Sequence, residues 1–293
     1  MISEKLPGLL VETEWLSEHL HEPDLRILDS TVFLRPDSSS KGLIIESGYE
    51  RWAQGHIPGA GFADLIEVFS DATSPLRFTV PSAEQFAAAA EELGISEGTR
   101  VVIYDQGQTM WATRLWWLFR TFGFDNAAVL NGGWRKWKQE GRPSSTEVPA
   151  FARGHFVPRL RPELIATKEE VLTAIQEGRT CLINALSQEQ FEGRVEVGNG
   201  KRGHIPSSVN VAASGLLDPA TNAYLPLDEL RAKVEGVGAV TADKVITYCG
   251  GGIAATSDAF VLTLLGVPHV AVYDGSLSEW TADPSLTLET GPA

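Results

Sequence analysis

The stretch Val245–Gly266, which reads VITYCGGGIAATSDAFVLTLLG, decides the fold of the second half of the chain. The β-rich run 245–248 predicts a strand, three glycines follow Cys249, and the apolar stretch 253–265 predicts a helix. A strand, a glycine turn and a helix in this order are typical of α/β proteins with a parallel sheet. Ligands of such sheets bind where the strands end, and Cys249 stands at that point.

The residues on the N-terminal side of this stretch continue the alternation of helices and strands. Thr167-Lys-Glu-Glu170 has the pattern of a capping box, which predicts a helix over 168–177, and strand 180–185 follows. A further strand is predicted at 269–273. We therefore expect an α/β fold with a mainly parallel sheet and helices on both faces.

Four landmarks of this half occur earlier in the chain, in the same order. They are a short strand (26–30 and 181–185), the sequence Gly-His-Ile-Pro (55–58 and 203–206), a strand that ends in tyrosine (101–104 and 245–248) and a segment that ends in tryptophan (131–137 and 274–280). The distance from Asp105 to Trp137 is 32 residues, and that from Cys249 to Trp280 is 31. The chain is therefore predicted to contain two homologous domains.

The boundary between the two domains is expected between Gly141 and about Pro162. We place the N-terminal domain at 1–142, a linker at 143–163 and the C-terminal domain at 164–293. The beginning of the linker is rich in Pro, Ser and Gly, and the whole segment lacks a helical period.

The composition excludes several classes of protein. The 24 Lys and Arg against 38 Asp and Glu leave a formal net charge of −14, which repels nucleic acid and anionic lipid. Two cysteines, Cys181 and Cys249, are too few for a zinc ribbon or a disulfide scaffold, and we expect free thiols in a reducing cytoplasm. We see no signal peptide, no transmembrane run and no close cluster of metal ligands. No metal or organic cofactor is expected.

The glycine turn offers Cys249 a specific chemistry. Glycines at 250, 251 and 252 allow several backbone N–H groups to turn inward next to a helix start, which forms a nest for an anion. Such a nest stabilises a thiolate and predicts that Cys249 is a nucleophile. The alternative is a buried apolar cysteine beside a tight turn. That structural role is expected for Cys181, which begins a predicted strand with no glycine turn after it.

Two other functional motifs also place glycines or a cysteine in a turn between a strand and a helix. Gly250-x-Gly252-x-x-Ala255, with Asp274 about 20 residues later, matches the dinucleotide fingerprint. Only 19 residues follow Asp274, too few for the rest of a dinucleotide domain, which disfavours this interpretation. A cysteine phosphatase needs an arginine six residues after the nucleophile to bind phosphate, and that position is Ala255.

The ordered set of motifs resembles the tandem-domain rhodanese sulfurtransferases over nearly the whole chain. It includes Gly55–Ala60, Arg114–Trp117, Leu130–Gly133, Cys249–Gly252 and Val272–Gly275. The resemblance implies that Cys249 becomes a persulfide whose anionic sulfur is held by backbone amides. Those amides would belong to Gly250, Gly251, Gly252, Ile253 and Ala254. The acceptor would be cyanide, a small thiol or a thioredoxin-like protein thiol. Asp105 stands at the cysteine position of the first domain, which implies that this domain is catalytically silent.

The choice of sulfur donor stays open at this stage. Rhodaneses that favour thiosulfate carry basic residues after the cysteine, whereas this chain has Gly250 and Gly251. The 3-mercaptopyruvate branch carries hydroxyl residues where this chain has Gly251 and Ala254, although the Cys-Gly-x-Gly frame fits that branch better. A family arginine is replaced by Leu186, and a family histidine by Phe78.

The other candidate residues have structural interpretations of similar or greater weight. Arg194, Lys201 and Arg202 are candidates for donor binding, or else belong to a solvated loop. His56 and His204 are expected to hold loops, and Asp64 is given no role. Five tryptophans are expected in the core or at a domain interface: Trp116, Trp117, Trp134, Trp137 and Trp280. A non-catalytic rhodanese module that binds a partner or carries sulfur is the alternative function.

Overall fold

The computed structural model describes residues 5–36, 43–198 and 200–292, which form two compact units. Unit 1 contains Met1–Thr73, Val80–Leu160 and Pro219–Ala223, and unit 2 contains Ser74–Thr79, Arg161–Asp218 and Tyr224–Ala293. Each unit thus includes a short segment from the other half of the chain, which the sequence pattern did not indicate.

Unit 1 alternates strands and helices. In chain order they are β1 (Leu10–Val11), α1 (Thr13–His19), β2 (Leu25–Asp29), β3 (Val32–Pro36), β4 (Leu43–Ser47), α2 (Tyr49–Gln54), β5 (Ala60–Phe62), α3 (Ala83–Glu92), β6 (Arg100–Tyr104), α4 (Met110–Thr121), β7 (Ala127–Leu130) and α5 (Gly133–Gln139). Strands β3 and β4 form a separate antiparallel hairpin. The other five form one parallel sheet in the order β1-β7-β6-β2-β5.

Unit 2 repeats this plan. Its elements are β8 (Ile165–Ala166), α6 (Lys168–Glu177), β9 (Thr180–Asn184), α7 (Gln188–Phe191), β10 (Glu196–Gly198), β11 (Lys201–Arg202), β12 (Ser208–Asn210), α8 (Leu227–Gly236), β13 (Lys244–Tyr248), α9 (Ala254–Leu264), β14 (Val270–Tyr273) and α10 (Ser276–Trp280). The parallel sheet has the order β12-β9-β13-β14-β8, and β10 and β11 form an antiparallel hairpin. Replacing each strand by its counterpart in the repeat converts one sheet order into the other, so the predicted duplication is confirmed.

The landmarks of the repeat occupy equivalent places in the two cores. Tyr104 and Tyr248 end the central strands β6 and β13, and both side chains are buried. The hydroxyl of Tyr104 accepts a hydrogen bond from the N–H of Ile57 (3.2 Å), and that of Tyr248 accepts one from the N–H of Ile205 (3.0 Å). These bonds connect each Gly-His-Ile-Pro turn to the central strand of its own sheet, which is β6 in unit 1 and β13 in unit 2.

The predicted elements agree closely with the observed ones in unit 2. Helix α6 spans the predicted residues, and its capping box is present. The hydroxyl of Thr167 accepts from the N–H of Glu170 (3.2 Å), and the carboxylate of Glu170 accepts from the N–H of Thr167 (2.9 Å). Each bond satisfies an amide that the helix itself leaves without a partner.

The segment 143–160, predicted as most of the linker, lies against unit 1 without forming a helix or a strand. Ser145 pairs with His56 in an isolated bridge, and the N–H of Gly154 donates to the carbonyl of Glu91 (2.8 Å). The ring of Phe156 is buried beside those of Phe86 and Phe119. The segment 143–160 is therefore packed onto unit 1. The position of the domain boundary stays a prediction.

Four of the five tryptophans are buried, as expected for core residues. They are Trp116, Trp117, Trp137 and Trp280. The indole N–H of Trp137 donates to the carbonyl of Pro143 (2.7 Å), and that of Trp280 donates to the carbonyl of Thr287 (3.0 Å). Trp134 is partly buried and packs against the core cluster that contains Tyr104.

Candidate active site

Cys249 lies directly after the central strand β13 and is 2% exposed. The turn that follows brings the chain into α9, which begins at Ala254. Of the three glycines, Gly252 takes a φ of +78°, a conformation that other residues rarely adopt. A side chain at Gly250 would meet no atom within 4 Å, and one at Gly251 would lie 3.6 Å from the hydroxyl of Ser278. Only Gly252 is thus required by the backbone, and the other two leave open space in the turn.

The turn carries backbone N–H groups that no protein acceptor satisfies within the described part of the chain. They belong to Gly250, Gly251, Ile253 and Ala254. Unsatisfied amides next to a helix start attract an anion, because each N–H carries a partial positive charge and the helix dipole adds to it. The turn thus has the chemistry of an anion nest beside Cys249.

The first repeat shows such a nest with an anion inside it. The carboxylate of Asp105, at the position equivalent to Cys249, is buried and accepts four backbone hydrogen bonds. The donors are the N–H groups of Gly107 (2.7 Å), Thr109 (3.1 Å), Trp111 (3.0 Å) and Ala112 (3.1 Å). Burial raises the pKa of Asp105, although these four bonds act in the opposite direction. The turn of this fold can therefore wrap an anionic group that projects from the residue after the strand.

The backbone of Cys249 is held in place by the segment that begins α10. The carbonyl of Cys249 accepts from the N–H of Leu277 (3.1 Å). The carbonyl of Gly250 accepts from both the N–H (2.9 Å) and the hydroxyl (2.8 Å) of Ser278. The N–H of Cys249 donates to the hydroxyl of Ser276 (3.1 Å). These serines are 27 and 29 residues away from Cys249 in sequence, and sequence reasoning did not find them.

Cys181 differs from Cys249 in position and chemistry. It lies near the amino end of β9, in register with Val245, whereas Cys249 follows the carboxyl end of β13. Burial raises the pKa of the Cys181 thiol to about 11, so the thiolate is scarce at neutral pH. Its sulfur lies 3.6 Å from the carbonyl oxygen of Val237. These features agree with the structural role expected for it.

The three basic residues lie at the β10–β11 hairpin or just before it. Arg194 pairs with Glu192 (2.8 Å), and Arg202 donates to the carbonyl of Arg194 (2.7 Å) and pairs with Glu196 (3.7 Å). Lys201 is partly buried and has no ion pair within the described residues. Strand β10 packs against α10, the helix that holds the Cys249 turn. The hairpin thus contacts the helix that holds the Cys249 turn, and Lys201 is the one of the three cations without an ion pair among the described residues.

The two histidines hold their loops through main-chain contacts. Nδ1 of His56 lies 2.7 Å from the carbonyl oxygen of Trp52, and its ring stacks on that indole. Nδ1 of His204 lies 2.8 Å from the carbonyl oxygen of Phe191, and its ring stacks on that phenyl group. The same arrangement in both repeats supports the structural role.

Asp64 and Leu186 have local contacts that support the fold. The carboxylate of Asp64 accepts from the N–H of Ile66 (2.8 Å), which closes a turn. Leu186 packs partly against the core of unit 2, and its N–H donates to the side chain of Asn184 (2.8 Å). Both residues therefore serve the fold where the sequence had assigned them no catalytic role.

Asp29 is a buried acid at the end of β2, next to Asp105 in space, and sequence reasoning missed it. It accepts hydrogen bonds from the N–H of Thr31 (3.0 Å) and from the side chain of Gln106 (3.1 Å). Burial raises the pKa of Asp29 to about 6, and the charge of Asp105 adds to the rise. The equivalent residue of the second repeat is Asn184, since Asp29 and Asn184 pair with Tyr104 and Tyr248 in the same register.

Replacing Asp29 by asparagine is expected to remove a loss of stability that occurs as the pH rises. Because the pKa in the folded state lies above the ordinary 3.8, the folded protein holds this proton more tightly than the unfolded chain. The tighter binding of this proton stabilises the folded protein fully below about pH 4, and that stabilisation is lost as the pH rises through about 6. The difference between the pKa of Asp29 in the folded and unfolded states corresponds to about 3 kcal/mol of unfolding free energy.

Urea unfolding near pH 4 and near pH 7.5 tests this prediction. The free energy of unfolding of Asp29→Asn, minus that of the wild type, should rise by about 2–3 kcal/mol between the two conditions. Comparing the two pH values cancels any pH-independent effect of the amide. A difference that stays constant with pH would contradict the prediction.

Within the described residues, no three or more His, Cys, Asp and Glu side chains are grouped as metal ligands would be. The described helices include none that is long and apolar enough to cross a bilayer.

Comparison with known proteins agrees with this architecture. The family model of the Rhodanese-like domain matches residues 12–140 and 167–283. The chain is 34% identical to 3-mercaptopyruvate sulfurtransferase of Escherichia coli K12, over 95% of this chain and 97% of the relative. It is also 34% identical to thiosulfate sulfurtransferase of Rattus norvegicus, over 99% of this chain and 98% of the relative.

The solved structures show the same similarity in three dimensions. The crystal structure of SseA from Escherichia coli, a 3-mercaptopyruvate sulfurtransferase, superposes with a TM-score of 0.81 and 32% identity. The match covers 92% of this chain and 98% of the SseA chain. With both repeats matched and relatives of either donor class aligned along nearly their full length, the chain belongs to the rhodanese family and is a sulfurtransferase with two rhodanese domains.

Proposed function

We propose that this protein moves a sulfane sulfur from thiosulfate or 3-mercaptopyruvate to a thiophilic acceptor through a persulfide on Cys249. The observation that carries the proposal is the pair of turns. The first turn wraps the carboxylate of Asp105 with four N–H groups, and the second presents unsatisfied N–H groups beside a cysteine. A persulfide on Cys249 supplies the anion that the second turn lacks.

The first half-reaction forms a sulfur–sulfur bond at Cys249. The thiolate attacks the outer sulfur of thiosulfate, the bond between the two donor sulfurs breaks, and sulfite leaves with the electron pair. With 3-mercaptopyruvate the carbon–sulfur bond breaks instead, and the carbon takes up the proton of the donor thiol to give pyruvate. In both cases the terminal persulfide sulfur is an anion that the amides of residues 250–254 can hold.

The second half-reaction returns the enzyme to its starting state. Cyanide, a small thiol or a thioredoxin-like protein thiol attacks the terminal sulfur, and the Cys249 thiolate leaves. Asp105 cannot form a persulfide, so the first domain is silent in this proposal. Both cysteines are free thiols, which suits the reducing cytoplasm that we propose as the compartment.

The basic hairpin is proposed to attract the anionic donor. Arg194 pairs with Glu192 and Arg202 pairs with Glu196, whereas Lys201 has no ion pair among the described residues. No basic side chain lies within the turn itself, so the donor depends on amides and on charges next to the turn.

The experiment is intact-protein mass spectrometry after incubation with each donor. We expect the wild-type protein to gain one sulfur atom, peptide mapping to locate it on Cys249, and cyanide to remove it with one thiocyanate per protein. The donor that loads faster identifies the donor class. Uptake on Cys181, or no uptake from either donor, would overturn the proposal. If Cys249 also resists alkylation at neutral pH, the non-catalytic module is the better explanation.

A further inference from the structure

Ser276 adopts a backbone conformation that its side chain makes unfavourable. It is the first residue of α10, it is fully buried, and its φ is +48°. This left-handed region favours glycine, because the Cβ of other residues approaches the following carbonyl oxygen. Strained residues of this kind are concentrated at functional sites, where the surrounding structure keeps them in place.

The hydroxyl of Ser276 joins the ends of two neighbouring strands. It accepts the N–H of Cys249 at 3.1 Å and donates to the carbonyl of Tyr273 at 2.7 Å. Tyr273 is the last residue of β14, which pairs with β13. The N–H of the nucleophile is therefore attached, through one buried hydroxyl, to the main chain of the adjacent strand.

The silent repeat shows that the fold does not need this serine. Gly133 stands at the equivalent position with a φ of +51°. The N–H of the next residue, Trp134, donates to the carbonyl of Asp105 at 3.1 Å, as the N–H of Leu277 donates to that of Cys249. A Cβ at Gly133 would lie only 2.7 Å from the carbonyl oxygen of Asp105. Glycine thus suffices for this turn, and the repeat that carries the cysteine has a strained serine instead.

We propose that Ser276 is a positioning residue for Cys249, an inference that rests on the proposed function. Its hydroxyl fixes the direction of the Cys249 N–H and so keeps the sulfur at a constant place relative to the amides of the turn. Without the hydroxyl, this buried N–H loses its acceptor and the backbone can turn toward another one. A small displacement of a reacting atom is enough to lower a reaction rate strongly.

The test compares Ser276→Gly and Ser276→Ala with the wild type in single-turnover persulfide loading. Glycine removes both the hydroxyl and the strain, whereas alanine removes the hydroxyl alone. We expect both variants to load sulfur about 10- to 100-fold more slowly at saturating donor, with little change in the donor concentration for half-maximal rate. The melting temperature of Ser276→Gly should exceed that of Ser276→Ala, because both variants lose the same two hydrogen bonds and only glycine relieves the positive φ.

A matched control is Thr281→Ala, at the end of the same helix. The hydroxyl of Thr281 is buried and donates to the carbonyl of Leu277 (2.6 Å), and we place it outside the machinery of sulfur transfer. This variant should load sulfur at the wild-type rate even if it melts earlier.

The outcomes separate the two proposals. Failure of the wild-type protein to load sulfur overturns the proposed function. Loading of Ser276→Gly at the wild-type rate overturns the role of Ser276 alone. A change confined to the half-saturating donor concentration would also overturn it, because Ser276 would then act in donor binding.

Discussion

The variant Cys249→Ser is expected to lose sulfur transfer by at least about 10³-fold with either donor. An oxygen nucleophile cannot take the place of the thiolate, because serine does not ionise near neutral pH and forms no persulfide. The turn itself should be intact, since its amides, Gly252 and the main-chain contacts of Leu277 and Ser278 do not involve the sulfur. The loss should therefore occur without a loss of folded protein.

The control for this prediction is the other cysteine. Cys181→Ser should retain sulfur transfer, because Cys181 lies toward the opposite end of the sheet and its raised pKa keeps it in the thiol form. Steady-state production of thiocyanate and single-turnover loading would both be measured, together with the circular dichroism spectrum of each variant. Transfer by Cys249→Ser at more than about a thousandth of the wild-type rate would contradict a persulfide on Cys249, whatever the stability of the variant.

The variant Asp105→Ala is expected to destabilise unit 1 by about 3–5 kcal/mol. Three buried N–H groups and the part-buried N–H of Gly107 lose their acceptor when the carboxylate is removed. Each buried donor left without a partner costs about 1–3 kcal/mol, and water entering the cavity offsets part of the total. Burial also raises the pKa of Asp105, so its charged form is unfavourable in the folded protein. Removing that charge offsets a further part of the loss of stability near neutral pH.

Asparagine at the same position provides a graded comparison. One amide oxygen of Asp105→Asn can still accept from Gly107 and Thr109, but its NH₂ group then faces the N–H groups of Trp111 and Ala112. We expect an intermediate loss of stability. Amide hydrogen exchange over residues 107–112 locates the effect, and faster exchange should be confined to unit 1. Unchanged exchange in Asp105→Ala would show that the carboxylate does not hold this turn.

Asp105 and Cys249 occupy equivalent positions in two copies of the same turn. Asp105 supplies its own anion to the nest, so the first turn is complete in the folded protein. In the second turn the N–H groups of Gly250, Gly251, Ile253 and Ala254 have no acceptor among the described residues, so they are available to an anionic sulfur in the proposed reaction. Duplication thus provides a comparison between a turn that holds a carboxylate of its own and a turn that we propose to hold the terminal sulfur of a persulfide.

The amino-acid sequence was sufficient for those features that depend on neighbouring residues. The capping box of Thr167, the strand before Cys249 and the glycine at 252 are each encoded within a few positions, because helix starts, strands and left-handed turns follow local rules. The duplication was equally evident, since the landmarks recur in the same order with nearly the same spacing.

Only the tertiary structure decided the features that depend on contacts between distant segments. The sequence pattern around Ser276 does not show that its hydroxyl reaches the N–H of Cys249, because that contact exists only once β13 and β14 are paired. The ion pairs that engage Arg194 and Arg202, and the raised pKa of Asp29, likewise depend on burial and on the partners that folding brings near. Local rules thus determined the elements and pointed to Cys249 as the proposed nucleophile, whereas long-range packing decided which side chains hold its backbone in place.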